Sequence, residues 1–155
     1  MIEALRWRID DRFDHYVRHL AGDGEVVLNE GAGADPDGQY LFPFSANEDA
    51  LPGTLCFSGS VEYKAYLGVL ALRIAGPRIT INGSEACLSV EGDGVFQGAR
   101  LELATARIED HTPGLAPIGF RLTAAGSEMF FGKYPPGWLL APATIKYRKP
   151  QEATP

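Results

Sequence analysis

Glycine and proline cut this chain into short apolar runs, and no other feature limits its fold as much. Eighteen Gly and 11 Pro are spread through 155 residues. Gly accepts positive φ and Pro presets a turn, so each interruption favours a change of direction. Between the interruptions apolar and polar residues tend to alternate, the period of a strand with one buried face. Leu5, Trp7 and Ile9 alternate with Arg6 and Arg8, and Leu101 and Leu103 flank Glu102. The expected fold is mainly β, an antiparallel sandwich or barrel-like domain with a few helical turns.

Strands are expected over Glu25–Asn29, Gln39–Phe44, Thr54–Tyr66, Val69–Ile74, Arg78–Asn82, Glu85–Val90, Gln97–Ile108, Phe120–Leu122 and Ala143–Tyr147. Gly31–Gly38, the polar Ser45–Asp49 stretch and the Asp110–Pro117 connection read as loops. Gly68 marks the turn of one hairpin, and the two-residue Gly83-Ser84 spacer marks another. Two segments change period. Phe13, Val17 and Leu20 form an apolar helical stripe with Tyr16 beside it, Asp10 or Asp11 as N-cap, and a stop near Ala21–Gly24. Thr123–Phe131 suits a short second helix, capped by Thr123 and stopped at Gly132. With no repeat or composition break, residues 1–148 read as one domain and 149–155 as a polar tail.

Charge and motif content exclude several function classes. The net charge is −6 with no basic stripe, which argues against a nucleic-acid partner. No run approaches the roughly 18 apolar residues of a membrane span. The start, MIEALRWRIDD, carries no secretory signal pattern, so a cytoplasmic location is expected. In that compartment Cys56 and Cys87 are expected as reduced core thiols, although a cross-strand pair is the alternative in an oxidising one. No nucleophile elbow, zinc-protease helix or phosphate-binding glycine loop occurs. Of the histidines His15, His19 and His111, the first two are i, i+4 on the helix. They lack a third metal ligand, and a solvent-facing pair is the expected outcome.

Tyrosines carry the functional signal. Tyr16 lies on the first helix, Tyr66 at a hairpin tip, and Tyr134 between the second helix and the Pro135-Pro136-Gly137 turn. Taken singly, each fits an amphipathic border residue with its ring inside and its hydroxyl in water. Three longer segments give them a shared context. LRWRIDDRFDHYVRHL, GTLCFSGSVEYKAYLGVLALRIAGPRI and FRLTAAGSEMFFGKYPPGWLLAPATIKY, taken in order from Leu5 to Tyr147, resemble the bacterial haem-binding HtaA-like domains. The resemblance implies a β-rich module with Tyr16 as the haem iron ligand and Tyr134 as a second tyrosine close to haem. At the hairpin position, where the family has a histidine that bonds the ligand tyrosine, this chain has Tyr66. A phenol is a far weaker base than imidazole at neutral pH, so Tyr66 can hydrogen-bond Tyr16 but not take its proton. The expected cytoplasmic location also departs from the family, whose members serve secreted or surface-anchored uptake proteins.

Three functions follow from this pattern. The first is binding of haem, or of a similar flat hydrophobic ligand, at a hollow lined by Tyr16, Tyr66 and Tyr134, with no other cofactor. The second is a cofactor-independent cyclase, isomerase or lyase for a hydrophobic ring-containing substrate. There the same tyrosines would act with Asp14 or His15 as base. The third is an assembly protein with a degenerate pocket and Trp138 on a partner surface. Oligomeric state is not legible in the sequence.

Overall fold

A computed structural model of the chain describes residues 1–46, 51–92, 98–108 and 116–148. Its strands are β1 (Ile2–Trp7), β2 (Glu25–Asn29), β3 (Gly33–Ala34), β4 (Tyr40–Pro43), β5 (Thr54–Cys56), β6 (Ser60–Ala65), β7 (Leu70–Ala75), β8 (Arg78–Asn82), β9 (Glu85–Glu91), β10 (Arg100–Arg107), β11 (Arg121–Leu122) and β12 (Ala143–Tyr147). They pair antiparallel in three sheets of order β12-β1-β4-β3, β11-β10-β9-β8-β5 and β2-β6-β7. None of the three closes into a barrel among the described residues. The helical pieces are α1 (Asp11–His15), which continues as a π-helical turn over Tyr16–Leu20, and α2 (Ala124–Met129). The 149–155 tail, His111, Gln97 and much of the two polar loops fall outside the described residues.

The local signals map onto this architecture with instructive exceptions. Asn82 pairs with Glu85 across Gly83-Ser84, as a two-residue hairpin requires. Thr54–Tyr66, expected as one strand, is two strands in different sheets: β5 pairs with β8, and β6 with β2 and β7. The break falls at Gly59, whose φ of +100° no side chain adopts comfortably. A Cβ there would also stand 2.9 Å from that of Ala32. Ile9 is another departure. It is buried, but at φ +76° it ends the strand pattern and turns the chain into α1.

Leu20 was expected on the buried helical stripe and is instead 66% exposed. The Ala21 N–H donates to the Tyr16 carbonyl at 2.8 Å, an i to i+5 bond. That wider turn rotates the last residues off the apolar face set by Phe13 and Val17. Gly24 then stops the segment, because a Cβ at that position would lie 1.8 Å from the Val17 carbonyl oxygen.

Aromatic contacts fasten α1 to the rest. Phe13, fully buried, meets Tyr63 of β6 edge-on at 5.0 Å and Phe130 after α2 at 5.3 Å. Beneath it the Asp14 carboxylate, 1% exposed, accepts hydrogen bonds from Tyr40 of β4, Tyr63 and Arg18. The Arg8 Nε lies 3.7 Å from the same carboxylate. One buried anion thus joins α1 to two sheets, and with its charge partnered it is a strong constraint.

Removing that anion leaves the Tyr40 and Tyr63 hydroxyls without their acceptor and leaves Arg18 with only its bond to the Tyr40 oxygen. Asp14→Ala should lower the unfolding free energy by about 3–5 kcal/mol in urea titrations. A loss below about 1 kcal/mol would show that the cluster does not hold the sheets together. Burial raises the Tyr63 phenol well above its ordinary value, and burial followed by the bond to Asp14 raises Tyr40. Above about pH 10 the unfolded chain therefore loses phenol protons that the folded chain keeps, so stability should fall as pH rises. Tyr63→Phe should make that alkaline slope shallower; an unchanged slope would assign it to other groups.

Candidate functional site

Two of the three tyrosines come together. The hydroxyls of Tyr16 and Tyr66, 50 residues apart in sequence, stand 2.5 Å from each other at the surface. Tyr16 opens the π-helical turn, a geometry that often marks functional positions. Its ring packs partly against the core, whereas Tyr66 is 43% exposed. The hydrogen bond to Tyr66, and then partial burial, raise the Tyr16 phenol above its ordinary value, so its neutral form is favoured.

The turn that carries Tyr66 is strained and clamped. Tyr66 and Leu67 have φ of +54° and +55°, the left-handed region that costs a side chain about 1–2 kcal/mol per residue. Asp23 offsets this by accepting the Tyr66 N–H at 2.5 Å and the Leu67 N–H at 3.0 Å. The Tyr66 N–H also reaches the Gly22 carbonyl at 3.0 Å. The loop after the π-helical turn therefore grips the hairpin tip, and the two tyrosines are held by one local structure. A Gly-Asp-Gly loop is a recognisable turn signal, but nothing local announces that its carboxylate caps a hairpin 43 residues away.

Tyr134 takes a different direction. It is buried, stacks on Trp138 at 4.7 Å, and its hydroxyl bonds to Asp10. Burial and then the Asp10 carboxylate raise its phenol above the ordinary value. Asp10 also caps α1 through the Phe13 N–H and accepts from Trp138 Nε1, each at 2.9 Å. Trp138, a candidate partner-surface residue in the sequence, is thus half-buried and occupied within the fold. Of the candidate bases, Asp14 is enclosed by its three donors. His15 is exposed, with its ring 4.9 Å from that of His19. Among the described residues no three His, Cys, Asp or Glu side chains gather to hold a metal ion. Cys56 and Cys87 are both free, and burial followed by Glu102 pushes the Cys87 thiol up to about 11.

The Tyr134 segment still reaches the pair through its preceding residue. Lys133 places its ammonium 3.5 Å from the centre of the Tyr16 ring. Composition gave no reason to single out this lysine. Exposed apolar residues neighbour the pair in sequence: Leu20 follows Tyr16 by one turn, and Leu67 and Val69, 94% and 85% exposed, follow Tyr66 in the turn. Phe131, 56% exposed, precedes Lys133. With Tyr66 these are five of the ten large hydrophobic residues exposed among the described ones, each within four residues of Tyr16, Tyr66 or Lys133 along the chain. Among the described residues the pair lies on an exposed face. A polar cleft of about 710 Å³ lined by Arg73, Arg78, Glu91 and Arg100 lies toward the other end of the β6–β7 hairpin.

The clamp makes a local prediction. Asp23→Ala should speed amide exchange at Tyr66 and Leu67 by about tenfold or more while leaving the β9–β10 ladder unchanged. Unaltered exchange at the tip would mean that the Gly22 contact alone fixes the turn.

Comparison with known proteins agrees with this architecture. No curated protein matches the sequence. Among solved structures, the C-terminal domain of HtaA from Corynebacterium glutamicum is 24% identical with a TM-score of 0.73, over 90% of this chain and 92% of that one. The N-terminal domain of the same protein is also 24% identical at a TM-score of 0.73, covering 95% and 98% of the two chains. The haem-binding protein HtaB from that organism is 22% identical with a TM-score of 0.75, over 93% and 91%. At these identities the likenesses establish the shared fold. The family profile described as Htaa matches residues 3–146, nearly the whole chain, and the chain therefore belongs to the HtaA family.

Proposed function

We propose that the domain binds haem at the Tyr16–Tyr66 pair, with the Tyr16 oxygen as iron ligand and Tyr66 as the hydrogen-bonding group that orients it. The observation carrying this reading is the 2.5 Å approach of two phenol oxygens from distant parts of the chain on an apolar surface. Family membership and the haem-binding description of HtaB point the same way. The donor also suits the ligand. Phenolate oxygen is an established ligand of haem iron, and exposed apolar side chains give a flat macrocycle a surface to cover.

The proton on Tyr16 sets the chemistry of binding. The bond to Tyr66 favours neutral phenol, so association with ferric iron must release a proton. Tyr66 can donate to the resulting oxygen anion and hold the ring direction, but as a phenol it is a poor proton acceptor at neutral pH. Binding of ferric haem at Tyr16 would therefore require loss of the phenol proton with no nearby strong base to receive it, and affinity would be lower than an imidazole partner permits.

Titration of the purified protein with hemin tests this directly. A tyrosinate-to-iron charge-transfer band should develop, and Tyr16→Phe should abolish it and weaken binding by about a hundredfold or more. Tyr66→His should tighten binding by about tenfold, because the imidazole can accept the proton. Binding without that band, or with full affinity in Tyr16→Phe, would rule out the assigned ligand.

A further inference from the structure

We propose that the Tyr16 site selects planar hydrophobic ligands that carry a carboxylate, and that Lys133 is the counter-ion making the selection. This rests on the haem reading above and narrows it to a charged ligand class. Lys133 is exposed, and its ammonium stands 3.5 Å from the Tyr16 ring centre. Ring contact attracts the cation but leaves its N–H donors free for an acceptor.

Two other cations of this region are already held by carboxylates. Lys64, two residues before Tyr66, pairs with Glu62 at 2.9 Å. Arg18 is held by Asp14 at 2.9 Å and by the Tyr40 hydroxyl at 2.7 Å. Arg12, like Lys133, has a ring contact, but its ring is Trp138 and not Tyr16. Lys133 has no carboxylate partner among the described residues, whereas Lys64 and Lys146 each have one. Asp23, the nearby anion, is taken up by the Tyr66 and Leu67 amides.

Charge makes this lysine matter. The chain carries a net charge of −6, so its average field repels an anionic ligand. A ligand whose apolar body lies over Leu67, Val69 and Phe131 would gain nothing from that surface for its charged edge. Lys133 supplies the missing complement beside the proposed ligand atom. A neutral ligand of the same shape leaves the ammonium where it is and loses this attraction. Lys133 thus acts on ligand choice, while Tyr16 makes the bond to iron.

Hemin and hemin dimethyl ester, titrated in the same detergent buffer, separate the two contributions. Wild-type protein should bind the diacid about tenfold more tightly than the ester. Lys133→Met should remove that preference by weakening the diacid alone, and Lys133→Arg should retain most of it. Circular dichroism and thermal unfolding of both variants check the fold. A wild-type protein that does not discriminate, or a Lys133→Met protein that discriminates as well as wild type, overturns the assignment while haem binding stands. Failure of both compounds to bind the wild-type protein overturns the haem reading and this one with it.

Discussion

The buried Asp14 carboxylate is the constraint on which the rest of this domain depends. It lies on a helix too short to be stable by itself, since five α-helical residues cannot repay the cost of nucleation. Tertiary contacts must hold that helix, and Asp14 supplies the polar share by taking Tyr40 from one sheet and Tyr63 from another. Four residues earlier, Asp10 caps the same helix and bonds Trp138 of the closing segment. Two carboxylates therefore fix the position and rotation of α1 from opposite directions, and Phe13 between them fills the apolar space.

This arrangement determines where Tyr16 points. With Asp14 and Phe13 held inward, the residue that begins the wider π turn falls at the boundary between core and solvent. The Tyr66 turn is constructed differently. Its left-handed residues are intrinsically unfavourable, and backbone amides bonded to Asp23 and the Gly22 carbonyl hold them in place. Strain maintained by surrounding contacts is common where a side chain must project in a set direction. The pair is consequently assembled from one helix boundary and one clamped turn, joined by the loop between them.

The tyrosine environments separate by solvation. Tyr63 and Tyr134 have buried rings with carboxylates at their hydroxyls, an arrangement that serves packing. Tyr16 and Tyr66 meet each other and solvent, which leaves their oxygens accessible to a ligand. Tyr134, bonded to Asp10, does not join the pair as a third hydroxyl, and a flat molecule can lie across Tyr16 and Tyr66 with one edge in water. Lys133 and the exposed leucine, valine and phenylalanine side chains give that face both a charged and an apolar component.

The sequence by itself determined most of the strand pattern, the Gly83-Ser84 hairpin, an aspartate cap at Asp10 or Asp11, the Thr123 cap, and the family to which the chain belongs. These rest on local periodicity, turn chemistry and ordered motifs. It also marked Tyr16 and Tyr66 as residues of interest. Tertiary structure alone decided that the Thr54–Tyr66 run splits between sheets at Gly59, that Leu20 rotates outward, and that Tyr134 turns to Asp10. It also decided that Asp14 is a buried acceptor and that Lys133 reaches Tyr16. Each of those outcomes depends on groups far apart in the chain competing for one acceptor or one volume, and a local pattern carries no information about which distant partner wins.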